Sequence, residues 1–382
     1  MMKGKLTLCL FILAAAMLLS PAAAKAAFAP EPKLSAKAAV VVNADDGSLL
    51  YAKNEHEKLA IASTTKIMTS LLTLEAASSD NRVIAVTPEM IRVEGSSMGL
   101  RANDRLTLRD LACGMLMVSG NDAANAAAYA VGGTPEKFAA MMNAKAAELG
   151  MKDTNFVTPS GLDDDNHYST AYDMSRLACA AMENGNFAAI VRQKSMEIRF
   201  VNPDVTHYYG NHNKLLRLDP CCTGIKTGFT RKAGRCLVSS AEKNGVRIIV
   251  VTLNDPNDWD DHETLFKYGF SKLACNKIDD SSMRISEAVV GGVKDSAAVA
   301  GTSGNDVVTG SGETLKRSVE LPQFVYAPIK AGQVLGCVRY TCGGKTLAKT
   351  ELTAVEDVGC LYVKKNLLQQ FWDSIHRLFP FS

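Results

Sequence analysis

The sequence predicts a mixed α/β (α+β) body, an antiparallel sheet flanked by helices with a helical subdomain, followed by a small all-β domain and a C-terminal amphipathic helix. Strand-like runs near residue 40 are followed by a long Ala-rich helical stretch over about 106–182, and strands return after about 190. Gly, Ser, Thr and Val dominate after Cys275. Because strands precede and follow the helices, both ends of the first domain are expected to close one sheet.

Residues 1–26 have the layout of a cleavable signal peptide. A short basic start is followed by a mostly apolar stretch over residues 6–19 and then by small residues, so cleavage is expected after Ala24 or Ala26. An uncleaved membrane anchor is the alternative, but the apolar stretch is short for a membrane span. The protein is therefore expected to be exported, to the cell envelope or the outer face of the cytoplasmic membrane.

Composition excludes several classes of protein. The 382 residues carry a formal net charge of +2, which gives no reason to expect nucleic acid as a partner.

Ten cysteines become nine when Cys9 is removed with the signal peptide, and Cys337 and Cys342 flank a turn-like stretch and could pair. Most of the others are expected to be buried small apolar residues. No zinc motif is present, and no metal or cofactor is expected.

The first domain is predicted over residues 34–275. Its N-terminal part reads as a hairpin, and a helix is expected to begin near Ser63 because Ile67, Leu71 and Leu74 recur at helical spacing. Further helices are predicted around 111–116, 123–131, 138–149, 174–182 and 263–270, and further strands over 223–230, 236–240 and 247–253.

The rest of the chain divides into a small β-rich domain over 283–358 and a terminal helix over 361–382. In that helix large apolar residues lie on one face and lysines and polar residues on the other, a pattern that suits a membrane surface. A terminal helix packed on its own domain is the alternative. The apolar residues are Leu367, Leu368, Phe371, Trp372, Ile375, Leu378 and Phe379.

The run Ser63-Thr64-Thr65-Lys66 places a hydroxyl and an amine one helical turn apart on one face. A serine hydroxyl is a weak nucleophile until a base takes its proton, and a lysine is such a base only when it is neutral. Burial and nearby positive charge both lower a lysine pKa, and Lys226 is a candidate for that second cation. A second copy, 240–243, runs from a strand into a turn, so its serine and lysine should not share a helical face.

Two further short motifs add polar groups. In Ser119-Gly120-Asn121 the hydroxyl could relay a proton to a leaving group and the amide could hold a substrate carbonyl. Ser119 is expected to end one helix and cap the next. A second copy of this motif, 303–305, is expected to be a turn in the β-rich domain.

The third motif, Lys226-Thr227-Gly228, occurs once, in a predicted strand. Lys226 and Thr227 would bind a carboxylate by charge and hydrogen bond, and Gly228 would let a substrate backbone pair with the strand edge. Taken alone, an exposed strand end is the alternative.

All three motifs in this order are shared by serine β-lactamases and penicillin-binding proteins. Residues 38–273 resemble a D-alanyl-D-alanine carboxypeptidase, a low-molecular-mass penicillin-binding protein. Residues 328–336 resemble the small C-terminal β-domain of that family, and the terminal helix is similar to its membrane anchor. The runs that carry the resemblance of the first domain are 94–97, 117–124, 142–151, 159–162, 213–216 and 224–230.

The resemblance implies a reaction. Ser63 would attack the carbonyl between the last two D-alanines of a peptidoglycan stem peptide, with Lys66 as base. Ser119 and Lys226 would help to carry the proton to the departing D-alanine, and Asn121 would bind the substrate amide. Water would then release the acyl-enzyme, and penicillin would trap Ser63.

The same resemblance assigns the binding groups around Ser63. The backbone amides of Ser63 and Phe229 would form the oxyanion hole. Lys226 and Thr227 would hold the terminal carboxylate of the substrate, beside Gly228.

Two departures from the family pattern leave the carboxylate affinity and the deacylation rate open. The stretch Leu253–Pro256 lacks an arginine, and Ser160 stands where many members have a histidine. A β-lactamase is one alternative, although residues 163–167 contain no glutamate to activate water. A wall-binding or penicillin-sensing protein without activity is the other, and it ranks last because every chemical group is present.

Overall fold

A computed structural model describes residues 30–361 and 367–378. The predicted signal peptide and Lys364, Lys365, Asn366 and Phe379 of the predicted terminal helix lie outside the described residues. The chain divides into two compact units, Met1–Ala274 and Cys275–Ser382. The first is a mixed α/β unit and the second is mostly β, which confirms the predicted fold class.

The first unit is built on a five-stranded antiparallel sheet with the order β2-β1-β9-β8-β7. The strands are β1 (Ala38–Asn43), β2 (Leu49–Lys53), β7 (Cys222–Thr230), β8 (Gly234–Lys243) and β9 (Val246–Leu253). Strand β1 pairs with β9 through six residues, Val40 opposite Val251 among them, so both ends of the domain close one sheet as predicted. Every residue of β1 is buried, because both faces of the sheet are covered.

In the described part of the first unit, seven helices follow a 3-10 turn at Ala62–Thr65. They are α1 (Lys66–Ser79), α2 (Leu108–Val118), α3 (Asn121–Gly132), α4 (Pro135–Glu148), α5 (Ala171–Glu183), α6 (Gly185–Val191) and α7 (Leu215–Leu218), and an eighth, α8 (Asp258–Lys272), follows β9. The threonines Thr107, Thr134 and Thr170 begin α2, α4 and α5 by accepting a hydrogen bond from a backbone N–H of the first turn. Helix α8 begins five residues before the predicted start, with three aspartates in its first turn.

The described part of the first unit also contains two two-stranded antiparallel sheets. They are β3 (Val83–Ala85) with β4 (Arg105–Thr107), and β5 (Ser195–Phe200) with β6 (Val205–Gly210). The alanines of α3 are buried in the same core as α1 and α2. The small side chains of these alanines let α1, α2 and α3 pack closely against one another. This packing supports the start of α1, next to the 3-10 turn.

The second unit contains a six-stranded sheet with the order β14-β16-β17-β12-β11-β15. Its strands are β11 (Arg284–Val290), β12 (Ser296–Gly301), β14 (Lys316–Glu320), β15 (Val325–Tyr326), β16 (Val334–Cys342) and β17 (Lys345–Ala354). A separate two-stranded sheet contains β13 (Val307–Gly310) and β10 (Leu273–Asn276), which begins in the first unit. Buried Asp280 accepts hydrogen bonds from Tyr340, Thr350 and Arg317. Helix α9 spans Leu367–Leu378. Across residues 30–361 and 367–378, no helix has the length and apolarity needed to cross a membrane.

The cysteines differ from the prediction. No disulfide joins the described cysteines, and Cys337 and Cys342 are both free thiols. Both of these lie on β16, where their thiols hydrogen-bond to Glu320 and Glu313 instead of to each other. Only Cys113, Cys222 and Cys236 are buried, so the expectation that most would be buried is wrong.

Candidate active site

Ser63 lies in the 3-10 turn that leads into α1. The turn is held by its own threonines, since Thr64 Oγ1 donates to the Ile61 carbonyl at 2.6 Å and Thr65 Oγ1 donates to the Ala62 carbonyl at 2.8 Å. Ile61, Ala62, Thr64 and Thr65 are buried, whereas Ser63 is half-buried. The Ser63 hydroxyl is therefore carried by the one residue of this segment that is not fully buried.

Lys66, the first residue of α1, carries the amine predicted to face that hydroxyl. Its Nζ lies 2.9 Å from Ser63 Oγ and donates to the Ser160 carbonyl oxygen at 2.7 Å. Lys66 is fully buried. Burial first, and then the charge of Lys226, hold the pKa of Lys66 well below its ordinary value, against a smaller opposing effect of Asp122. Lys66 is therefore placed to be a neutral amine with a lone pair toward Ser63.

Lys226 on β7 is the second cation that the sequence predicted. Its Nζ donates to the Thr227 carbonyl at 2.8 Å, and the side chain is 1% exposed. Burial lowers the pKa of Lys226 to about 7. In the described part of the chain, neither Lys226 nor Lys66 forms a salt bridge. Two buried amines without an acidic partner in the described residues thus lie near each other, and one of them, Lys66, contacts the Ser63 hydroxyl.

Gly228 brings β7 against the nucleophile turn. A Cβ on Gly228 would lie 3.0 Å from Thr64 N, 3.1 Å from Ile61 O and 3.1 Å from Ser63 N. A side chain there would push the edge strand away from Ser63. The glycine is thus required by this close approach, and β7 keeps its outer edge because it is the last strand of the sheet.

Ser119 and Asn121 stand at the junction of α2 and α3. Ser119 closes α2 in a left-handed conformation with φ 60°, and Gly120, not Ser119, is the N-cap of α3, so the predicted capping of the second helix is wrong. Such a φ is uncommon for a residue other than glycine, and Ser119 in this conformation lines the cleft with Ser63. Asn121 Nδ2 donates to the Glu94 carbonyl at 2.6 Å, and its buried Oδ1 has no partner among the described residues.

Asp122 is an anchor for this junction that the sequence reasoning missed. Its buried carboxylate accepts hydrogen bonds from Ser97 Oγ at 2.5 Å and from the backbone N–H groups of Met98, Gly99 and Leu100. The carboxylate therefore ties the segment that carries Ser96 to the start of α3. The signal for it was weak, since an aspartate in the first turn of a helix is common for dipole reasons alone.

The loop over residues 157–167 closes the other side of Lys66. His167 Nδ1 accepts from the backbone N–H of Val157 at 3.0 Å and of Thr158 at 3.2 Å, which leaves Nε2, 2.8 Å from Thr65 Oγ1, to carry the proton. Burial lowers the pKa of His167 to about 4, so the ring is neutral near pH 7. The ring holds the loop to the nucleophile turn and so fixes the Ser160 carbonyl that binds Lys66.

A cleft of about 320 Å³ opens over these groups. Five of the residues predicted from the sequence line this cleft, which are Ser63, Ser119, Thr227, Gly228 and Phe229. The other three, Lys66, Asn121 and Lys226, are buried and do not line it. The cleft also contains residues that no motif named, which are Ser96, His212, Lys214, Arg235, Asp258 and Trp259.

The second copies of the motifs lie outside the cleft, although neither forms the predicted turn. Ser240 and Lys243 both lie on strand β8 and so share no helical face. Ser303 and Asn305 lie in the second unit, in a segment outside the named strands, where Ser303 Oγ donates to Asp279. Neither copy is part of the cleft lining.

Comparisons with known proteins show which family the chain resembles. Residues 24–257 match the D-alanyl-D-alanine carboxypeptidase family, and residues 287–359 match the C-terminal domain of penicillin-binding protein 5. The D-alanyl-D-alanine carboxypeptidase DacF of Bacillus subtilis is 32% identical over 85% of this chain and 86% of its own length. DacC of Escherichia coli is 33% identical over 88% of each chain.

Solved structures show the same fold. Penicillin-binding protein 5 from Haemophilus influenzae superposes with a TM-score of 0.62 at 29% identity, over 86% of this chain and 98% of its own. The Streptomyces K15 DD-transpeptidase, as an S96A mutant, superposes with a TM-score of 0.60 at 28% identity, over 63% of this chain and 99% of its own.

Gly161 offers a test of how the loop supports Lys66. With φ +81°, an added Cβ would lie 1.9 Å from the Ala62 carbonyl oxygen and 2.6 Å from Thr65 Oγ1. Gly161→Ala is expected to destabilise the protein by roughly 1–2 kcal/mol through backbone strain and by roughly 1–3 kcal/mol more through overlap, measured by thermal unfolding.

Gly133→Ala is the matched control for Gly161→Ala. Gly133 has a similar positive φ, +80°, but an added Cβ meets nothing within 4 Å. Only the strain contribution should remain. Equal losses of stability in the two variants would show that the close approach of the loop to the nucleophile turn is not a constraint.

Proposed function

Because the chain belongs to the D-alanyl-D-alanine carboxypeptidase family, it is a serine DD-carboxypeptidase that acts on peptidoglycan, and we propose that Ser63 is its nucleophile. The observation that carries this assignment is the buried Lys66 amine, 2.9 Å from Ser63 Oγ and without an acidic partner among the described residues. A neutral amine at hydrogen-bond distance is the base that a serine nucleophile needs.

The first half of the reaction acylates Ser63. Lys66 Nζ accepts the hydroxyl proton while Oγ bonds to the carbonyl carbon between the last two D-alanines of a stem peptide. Lys66 also donates an N–H to the Ser160 carbonyl, and the neutral amine has a lone pair that accepts from Oγ. The negative charge that develops on the carbonyl oxygen is met by the backbone amides of Ser63 and Phe229.

The proton must then reach the departing D-alanine. Ser119 lines the cleft with Ser63, and its hydroxyl can pass a proton from Lys66 toward the amine of the leaving group, assisted by the charge of Lys226. Loss of D-alanine leaves an ester on Ser63 Oγ. A water molecule activated by the same neutral Lys66 hydrolyses this ester and restores the hydroxyl.

Substrate orientation is assigned to groups around the nucleophile. Thr227, with Lys226 behind it, binds the terminal carboxylate. Asn121 binds the substrate amide, a role supported by its buried Oδ1, an acceptor without a partner in the described part of the chain. Penicillin, which resembles the dipeptide end, acylates the same Ser63 oxygen.

We also propose an exported enzyme that α9 holds to the surface of a membrane. Two features of the chain support this, the signal-like layout of residues 1–26 and the amphipathic sequence of α9. In α9 the side chains of Leu368, Phe371 and Trp372 are 69%, 62% and 54% exposed. A helix that lies in the membrane interface needs no apolar span.

The nucleophile assignment is tested with fluorescent penicillin followed by a peptide ending in D-Ala-D-Ala. The unaltered protein should be labelled durably at Ser63 and should release D-alanine, and Ser63→Ala should lose both activities by at least about 1,000-fold. Fast turnover of penicillin would instead support a β-lactamase, and neither labelling nor release would support a non-enzymatic sensor.

Ser240→Ala is the matched control, because Ser240 begins the second Ser-x-x-Lys copy on β8. It should keep both labelling and D-alanine release. Labelling that follows Ser240 and not Ser63 would show that the wrong serine has been assigned.

The membrane proposal is tested by deleting residues 361–382. The truncated protein should hydrolyse a soluble peptide at the unaltered rate and should no longer sediment with membranes, measured by centrifugation of cell fractions. Phe371→Ser with Trp372→Ser should weaken sedimentation in the full chain, whereas Ser374→Ala should not. A truncated protein that still sediments with membranes would contradict the proposal.

A further inference from the structure

Arg235 is a cation in the cleft that belongs to none of the motifs. It lies on β8, directly opposite Phe229 of β7. Residues opposite each other in an antiparallel pair share a face of the sheet, and every second residue of a strand lies on the same face. Arg235 is therefore on the same face as Phe229 and Thr227, and all three line the cleft with Ser63.

The first turn of α8 holds Arg235 in place. Its Nε and Nη2 donate to Asp258 Oδ1 at 2.9 and 2.8 Å, and its guanidinium carbon lies 5.4 Å from the centroid of the Trp259 ring. The Asp258 side chain is only 3% exposed, whereas that of Arg235 is 40% exposed. A buried carboxylate and a ring thus fix one side of the guanidinium while the other faces the cleft.

The free side of the guanidinium is suited to a second carboxylate. Within residues 30–361 and 367–378, Arg235 Nη1 has no hydrogen-bond partner, and both of its bonds to Asp258 use Oδ1. A guanidinium presents five N–H donors in a planar fork, so it can bind Asp258 on one edge and a ligand carboxylate on the other. Lys214 also lines the cleft, but it is exposed, and no described residue forms a bond with its amine that would hold it.

The chain needs such a group, because Lys226 alone is a poor anchor for a carboxylate. Burial lowers the pKa of Lys226 to about 7, and the segment Leu253–Pro256 beside this end of the sheet has no cationic residue. A guanidinium keeps its charge at all physiological pH values.

We propose that Arg235 binds the C-terminal carboxylate of the substrate together with Thr227, and that Asp258 and Trp259 are the residues that position it. The inference rests on the proposed function, since it takes a D-alanyl peptide with a free carboxylate as the ligand. On this proposal, residues of β8 and α8 make the enzyme prefer a peptide with a free C-terminal carboxylate over one whose C-terminus is blocked.

The experiment compares two reactive acyl donors, a D-alanyl thioester whose leaving group ends in a carboxylate and the matched thioester whose leaving group ends in a primary amide. Arg235→Ala is expected to lower kcat/KM for the carboxylate donor by roughly 10- to 100-fold, the range for a lost charge-assisted hydrogen bond. The amide donor should change less than about twofold, because it offers no charge to Arg235. Arg235→Lys should recover only part of the loss, because a lysine lacks the fork.

Arg231→Ala is the matched control. Arg231 is exposed in the turn between β7 and β8 and does not line the cleft, so its loss removes the same charge without the proposed contact. It should leave the rates with both donors unchanged. Equal losses for Arg235→Ala with the two donors, or no loss with either, would overturn the proposal.

The outcome is separable from that of the proposed function. A protein that is acylated at Ser63 by both thioesters but releases no D-alanine from peptides would contradict the proposed function. The ratio of the two thioester rates would still decide whether Arg235 recognises a carboxylate.

Discussion

The site depends on the burial of two amines, those of Lys66 and Lys226, the first of which contacts the Ser63 hydroxyl. A charged ammonium is costly to bury without a counter-ion, and each of Lys66 and Lys226 makes the charge of the other more costly. The proton is therefore most easily given up by Lys66, which is fully buried and 2.9 Å from Ser63 Oγ. The neutral state of Lys66 is thus a consequence of its packing. Lys66 stays neutral only if acidic side chains and water are kept out of contact with its amine.

Several distant parts of the chain maintain this environment. The loop held by His167 supplies the Ser160 carbonyl, which accepts from Lys66 without carrying a charge. Gly228 lets the β7 edge approach the nucleophile turn, and Asp122 ties the α2–α3 junction to the segment after Ser96. These contacts link residues far apart in sequence, so the site exists only when the whole first unit is folded.

Much of the architecture followed from local sequence patterns. The hairpin, the helices and the returning strands were predictable from periodicity, and the three motifs were predictable because each occurs beside a recognisable helix start, junction or strand. Ser119 was assigned a capping role that Gly120 has, because residue preferences do not report the left-handed φ that closes α2.

The residues that were missed depend on tertiary contacts. Arg235 is an ordinary strand residue in sequence, and only the pairing of β7 with β8 and the approach of α8 place it in the cleft. His167 appeared as part of a polar loop, and its role depends on Thr65, 102 positions away. Pairing of Cys337 with Cys342 was suggested by sequence spacing, which does not report side-chain direction.

Titration of Lys66 is the most direct test of the central claim that this amine is neutral. In protein labelled with ¹³C at lysine Cε, the Lys66 resonance is identified by its absence from the Lys66→Arg spectrum and followed by NMR against pH. The account predicts a pKa well below the ordinary lysine value of about 10.4, and a higher one when Lys226→Met removes the neighbouring charge. A Lys66 resonance that titrates near 10.4, unaffected by Lys226→Met, would contradict it.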